Sequence, residues 1–168
     1  SKLYSELGSD ISTAIDLADN VLRKFEFEKL QYEEISLKLK TNNNLFESIP
    51  AIVPTDGQYS SESFGMRLHP ILKVYKMHSG IDIINQYGSS VKATGKGKVV
   101  FAGVKGGYGL TIEIDHGFGY QTVYAHLSNI NVKEGQIVNR NQLIAKSGNS
   151  GLSSGPHLHY EVLHNGQN

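Results

Sequence analysis

Histidine and carboxylate carry the chemistry in this chain, and two short spacings draw them together. His157-Leu158-His159 places two imidazoles at i and i+2, positions that on a strand point to one face and stand side by side. Such a pair suits a metal ion, or a metal ligand beside a base. His78-Ser-Gly-Ile-Asp82 is the second feature, a histidine and a carboxylate separated by a Ser-Gly-Ile step. Gly80 and the β-rich run Ile81–Ile84 argue against helix there. In a straight strand that separation spans about 13 Å, too far for both groups to touch one ion at about 2 Å. The chain must therefore bend at Ser79-Gly80, which glycine allows. His126, in Tyr124-Ala-His126-Leu, closes another β-rich run. His69, His116 and His164 sit beside Pro, Gly or Asn and read as turn residues with structural or solvated roles.

Several chemistries are excluded by what is missing. The chain has no cysteine, which removes thiolate zinc sites, cysteine nucleophiles and disulfide scaffolds and leaves His, Asp and Glu as ligands. No H-E-x-x-H occurs, so a zinc hydrolase built from these residues would use histidine as its base. A catalytic zinc takes three protein ligands and keeps a position open. His78, Asp82 and one member of the HxH pair supply three, leaving His126 and the other member over; spacing does not say which member is which. Gly151-Leu-Ser-Ser-Gly155 matches G-x-S-x-G, yet Pro156 and a strand follow where a nucleophile elbow needs a helix. The glycine clusters at Gly95–Gly97 and Gly106–Gly109 complete neither G-x-G-x-x-G nor a P-loop. Sixteen basic side chains against sixteen acidic ones disfavour a nucleic-acid binder held by phosphate neutralisation.

The elements that must position these groups fall into two dissimilar segments. Residues 1–48 hold one of the 18 glycines, no histidine, and nine acids against six bases, while the remaining 120 residues hold all seven histidines. Leu7, Ile11, Ala14, Ala18, Val21 and Phe25 step by four and three, the stripe of an amphipathic helix or coiled-coil seam. No Gly or Pro interrupts Ser9 to Leu39, so one helix of about 30 residues or two shorter ones fit, with Ser9 as N-cap and Thr41–Asn44 as stop. The second segment has short β-rich runs at Ile81–Ile84, Lys98–Ala102, Leu110–Ile114, Tyr120–His126, Gln142–Lys146 and His157–Leu163, separated by glycine-bearing turns. That pattern predicts a mainly β protein with an antiparallel core behind an N-terminal helical segment. The expected boundaries are 1–48 for the helical segment, 49–56 for a linker containing Pro50 and Pro54, and 57–168 for the β domain.

Taken in order, Ser63-Phe-Gly-Met-Arg67-Leu-His69-Pro, His78-Ser-Gly-Ile-Asp82, Gly107-Tyr-Gly109, Tyr124-Ala-His126-Leu, Ser147-Gly-Asn149-Ser-Gly151 and Gly155-Pro-His157-Leu-His159-Tyr-Glu161 resemble the lysostaphin-type, or LytM-domain, zinc metallopeptidases that cut peptide bonds in peptidoglycan. The resemblance covers about Pro54 to Gly166. It implies that His78, Asp82 and His159 bind Zn2+, that His157 is the non-ligating member of the pair, and that His126 is its catalytic companion. It also implies antiparallel sheets with a narrow groove over the metal that fits an extended peptide. Asn149 and Tyr160 are candidate groove residues, and Glu161 reads as a strand or metal-supporting residue rather than a base.

On the same resemblance the expected substrate is a peptidoglycan cross-link or stem peptide, and the expected location the cell envelope, periplasmic or extracellular. The start at Ser1, without initiator Met or signal sequence, reads as a piece of a longer protein, tethered by a membrane anchor upstream. The N-terminal helix would pack with another helix, as a homodimer, a hairpin or a contact with a regulatory protein. The rival readings are a non-catalytic LytM-like scaffold that activates other wall hydrolases, and a biotinyl-type carrier suggested by Val132–Gln142. All five site residues are present, against the first, and no lysine stands at an obvious hairpin tip, against the second.

Overall fold

The computed structural model describes residues 2–59 and 63–168, with the side chains of 2–10 excepted. It divides into two units, residues 1–44 and 45–168. A single helix, α1, runs from Lys2 to Ser48, longer at both ends than the sequence suggested. Ser9, expected as an N-cap, lies inside it, and the side chain of Leu7 lies outside the described residues. Thr41–Asn44 do not stop it, because the Thr41 hydroxyl donates back to the Leu37 carbonyl at 2.9 Å and so works within the helix instead of capping it. The effective stop is Pro50, which disfavours helical geometry at the residue before it; the last helical bond is Ile49 N–H to Leu45 O, 3.0 Å. Residues 11–44 are exposed throughout.

The described residues of the second unit form a β body of eleven strands, reached by the last turn of α1 and residues 49–56. That stretch is held by main-chain bonds, Lys96 N–H to Glu47 O at 2.8 Å, Ala51 N–H to Thr94 O at 3.1 Å and Lys92 N–H to Pro54 O at 2.8 Å. Arg140 adds hydrogen bonds to the carbonyls of Phe46 and Ile49. The strands are β1 (Gln58–Tyr59), β2 (Gly65–Leu68), β3 (Tyr75–His78), β4 (Ile81–Ile84), β5 (Ser90–Lys92), β6 (Gly97–Val104), β7 (Leu110–Gly117), β8 (Tyr120–Ile130), β9 (Ile137–Val138), β10 (Leu143–Ser147) and β11 (His157–His164). Nine of them form one sheet, with the path β1-β4-β11-β8-β7-β6-β9, while β10 joins β8 to β5 and β2–β3 form a separate hairpin. Every pairing is antiparallel, as expected for short β runs joined by tight turns.

Strand alternation divides the residues between core and groove. On β11, Leu158 and Tyr160 enter the core with Ile83 of β4, Ile112 and Ile114 of β7 and Tyr124 of β8. His157, His159 and Glu161 take the other face. Tyr160 is therefore not a groove residue: its hydroxyl donates to Thr94 Oγ1 at 2.9 Å deep in the core. Asn149 is exposed and does not line the groove either.

His116 corrects a second expectation, since it is no turn residue but a buried member of β7. One ring nitrogen donates to the Lys96 carbonyl at 2.9 Å and the other meets Thr122 Oγ1 at 2.8 Å. Burial lowers its pKa against the opposing effect of the Lys96 carbonyl. The unfolded chain therefore takes up a proton near pH 6.5 that the folded chain refuses, and stability is lost as pH falls below that value. In urea unfolding the stability of His116→Gln should fall less steeply between pH 7 and 5 than that of the natural chain; an unchanged slope would remove His116 from the account.

Candidate functional site

The bend required at Ser79-Gly80 is present: β3 ends at His78 and β4 begins at Ile81. A side chain at Gly80 would press its Cβ to 2.5 Å from the Tyr160 carbonyl, so only glycine lets this turn lie against β11. The bend brings His78 Nε2 to 3.2 Å from Asp82 Oδ1. Register supplies the third group, for β11 pairs with β4 so that His159 stands directly across from Asp82 and His157 across from Ile84. His159 Nδ1 accordingly lies 3.0 Å from Asp82 Oδ1 and 3.0 Å from His78 Nε2. His157 Nε2 is farther from the same oxygen, at 3.5 Å. The two members of HxH thus stand at different distances from Asp82, a difference that spacing does not reveal.

His126 arrives by a different device. Tyr124 and Leu127 both face the core, although three residues apart, because the β7–β8 register shifts between their partners Ile112 and Leu110. His126 takes up the shift with a left-handed φ of 57°. Such bulges re-aim a side chain and are costly for non-glycine residues, which places them at functional sites. Here the result is an imidazole 4.7 Å from that of His157, centroid to centroid.

Each of the four imidazoles is oriented by its far nitrogen. His78 Nδ1 donates to Ser63 O at 2.5 Å, His126 Nδ1 to Ser150 O at 2.7 Å and His157 Nδ1 to Gly155 O at 2.8 Å. His159 Nε2 donates to Glu161 Oε1 at 2.8 Å. Rings so arranged turn their other nitrogens inward. A cation that displaces any proton between His159 Nδ1 and Asp82 Oδ1 would meet three lone pairs, from those two atoms and His78 Nε2. These two imidazoles and one carboxylate are borderline ligands of the kind zinc takes, in the number that leaves a position open, so the residues fit the ion.

The electrostatics favour a cation at the same place. Burial alone would raise the pKa of Asp82, but hydrogen bonds with His159, His78 and Arg67 hold its carboxyl far below the usual range. Burial also opposes charge on His159, yet the bonds to Asp82 and Glu161 prevail and raise its pKa. Desolvation dominates at His126 and lowers it to about 4, so this ring is neutral at pH 7.

Sequence reasoning read Glu161 as a supporting residue but missed Arg67 and Tyr108. Arg67 Nη2 bonds Asp82 Oδ2 at 2.5 Å, tying the β2–β3 hairpin to the site. Glu161 Oε1 also accepts from Ser79 Oγ at 2.5 Å and Tyr108 Oη at 2.8 Å; despite burial these bonds and that of His159 lower its pKa to about 2, and it stays a carboxylate. Both Arg67 and Tyr108 lie in the quoted motifs, but their partners are remote in sequence and no local spacing reveals them. His69, as expected of a turn residue, accepts at Nδ1 from the N–H groups of Ile71 and Leu72, 3.2 Å each.

Ser150 fixes the bulge from outside, taking the Leu110 N–H at 2.9 Å and donating to the Leu127 carbonyl at 2.7 Å. Its neighbour Gly151 has φ 71°, and a Cβ there would lie 2.4 Å from Gly109 N and 2.6 Å from Gly107 O. These are main-chain atoms with nowhere to go. Gly151→Ala should therefore displace the Ser150 carbonyl from His126 and lower Tm by about 5 °C; an unchanged Tm in calorimetry would contradict this reading of the loop.

The five residues line one groove of about 270 Å3, walled by the hairpin on one side and by Tyr108 and Leu152–Ser154 on the other. Residues 76–168, which include all five, match the pattern of peptidase family M23. The chain is 46% identical over 107 residues to DD-carboxypeptidase/endopeptidase Mpg of Neisseria meningitidis, covering 64% of this chain and 25% of that protein. It is 42% identical over 116 residues to peptidoglycan DD-endopeptidase ShyA of Vibrio cholerae, covering 68% and 27%. The chain thus spans about a quarter of the length of these relatives. Among solved structures, a zinc-containing peptidase from Vibrio cholerae superposes with TM-score 0.62 at 39% identity, over 68% of this chain and 36% of that one. The catalytic domain of lysostaphin from Staphylococcus simulans superposes with TM-score 0.59 at 35% identity, over 65% and 81%. The antiparallel fold and the matched residues agree, and the chain belongs to peptidase family M23.

Proposed function

We propose that residues 57–168 form the catalytic domain of a zinc-dependent peptidoglycan endopeptidase acting in the cell envelope, with residues 49–56 joining it to the helical segment 1–48. His78, Asp82 and His159 would hold the zinc, and His126 and His157 would be the catalytic histidines. The convergence of three ligand atoms, from His78, Asp82 and His159, beside two further oriented imidazoles carries this reading. Bound zinc supplies Lewis acidity, polarising the scissile carbonyl and lowering the pKa of water toward about 7.

The protein's own residues do the rest. Hydrolysis adds a water oxygen to the carbonyl carbon, breaks the C–N bond and delivers a proton to the leaving amine. His126 Nε2 and His157 Nε2, with their Nδ1 protons occupied by carbonyls, accept the water proton and return it to the amine. The same groups, when protonated, hydrogen-bond the developing oxyanion. Asp82, shared between Arg67 and the imidazoles, stays anionic and holds the ligand cluster in register. Glu161 keeps His159 in the tautomer whose Nδ1 faces inward.

The names of the relatives support a bond between two D-configured centres as the one cut. Incubation with purified sacculi of known cross-linking, followed by mass spectrometry of the released muropeptides, tests this. Loss of D,D-cross-linked dimers with a matching gain of monomers is expected; intact dimers would overturn the proposal. Glu161→Gln should weaken zinc about 10- to 100-fold in chelator competition, the usual scale for a lost ligand-orienting carboxylate. Unchanged affinity would reduce Glu161 to a packing role.

A further inference from the structure

The seam on α1 runs from Ile11 to Leu39 in alternating steps of three and four, interrupted by a charge at Glu28 alone, and nothing in the described residues covers it. Ile11, Val21, Phe25, Tyr32 and Ile35 along it are between 54% and 73% exposed. Such a face needs a second helix, and the sizes of the seam residues indicate which one.

We propose that the seam pairs with a second copy of this chain, antiparallel and centred on residue 23. In that register Ile11 meets the partner's Ile35, Ala14 the partner's Tyr32, Ala18 the partner's Glu28, and Val21 the partner's Phe25. Every layer but the first sets a smaller residue against a larger one, so two helices at constant separation fill the interface evenly. Parallel pairing does the opposite. Alanine layers at 14 and 18 would call for close helices, while the Phe25 and Tyr32 layers just beyond would force them apart.

Charge points the same way. A parallel pair buries Glu28 against the partner's Glu28 and sets Lys24 beside the partner's Lys29 on both flanks, a set of like-charge contacts of the kind that specifies against an arrangement. The antiparallel register removes the glutamate pair and leaves one like contact, Lys24 with the partner's Lys24. It also brings Leu22, 59% exposed, against the partner's Leu22. This inference rests on the helix alone and stands apart from the peptidase reading.

The absence of cysteine makes the test clean. Sedimentation of the whole chain should give twice the 18.5 kDa protomer mass. The double variant Ile11→Cys/Ile35→Cys, whose two thiols are about 36 Å apart along one helix, should oxidise to a covalent dimer, while each single variant stays uncross-linked. Ala14→Cys/Tyr32→Cys should behave alike, which guards against one pair weakening association. A monomeric chain would overturn the proposal and leave the seam to another protein or to sequence beyond this chain. Self-cross-linking of Ile35→Cys alone would show parallel pairing, and a dimer in which neither double variant cross-links would show a different register; both contradict it.

Discussion

Replacing His159 with alanine should reduce bound zinc from about one ion per chain to under about a tenth, and end hydrolysis of sacculi with it. His159 is the least exposed of the three proposed ligands, its side chain 5% exposed against 16% for His78 and 20% for Asp82. Its Nδ1 stands equidistant from His78 Nε2 and Asp82 Oδ1, 3.0 Å each, so its loss opens the middle of the cluster. His78→Ala and Asp82→Ala should lose zinc for the same reason, since two remaining donors seldom hold the ion against water. Elemental analysis of the dialysed variants, with circular dichroism to confirm folding, measures this. Full occupancy in folded His159→Ala would end the assignment of that residue as a ligand.

His126→Ala and His157→Ala should part from those variants by keeping their zinc. Their expected loss is in rate, about 10²-fold or more, the usual scale for a missing acid–base group. The reason is geometric: His126 Nδ1 and His157 Nδ1 are pinned to carbonyls, and their rings lie tilted at 56° to one another beside the cluster, 4.7 Å apart. Near-normal digestion of sacculi by both variants would sink the proton-transfer roles. Loss of zinc from His157→Ala would mean that the two members of HxH had been exchanged.

How far the sequence carried this account depended on whether a feature is local. HxxxD and HxH are local, and the bend at Ser79-Gly80 followed from the span of a strand alone. The choice between His157 and His159 depends on the β4–β11 register, a contact between residues 77 positions apart, which no spacing encodes. His126 is placed by a bulge whose backbone φ of 57° is set by Ser150 and Gly151 from another loop. The long strands were legible because their apolar runs exceed their turns; β1, β5 and β9, of two or three residues each, leave too short a pattern to recognise. The helix was read correctly as a helix and wrongly at its ends, because Ser9 lies within it, Thr41 bonds back into it and Pro50 was the stronger signal. Tyr160 was misplaced because it followed the resemblance, although the alternation that sets His157 and His159 on the groove face sends Tyr160 to the core.

One zinc ion should sit among His78 Nε2, Asp82 Oδ1 and His159 Nδ1. A zinc-edge anomalous difference map from crystals of catalytically active protein tests it most directly. A single strong peak is expected within about 2.3 Å of those three atoms, with His126 and His157 out of contact with it. A peak held by His126 or His157, a peak on the Glu161 side of His159, or no peak in protein that still digests sacculi would contradict it.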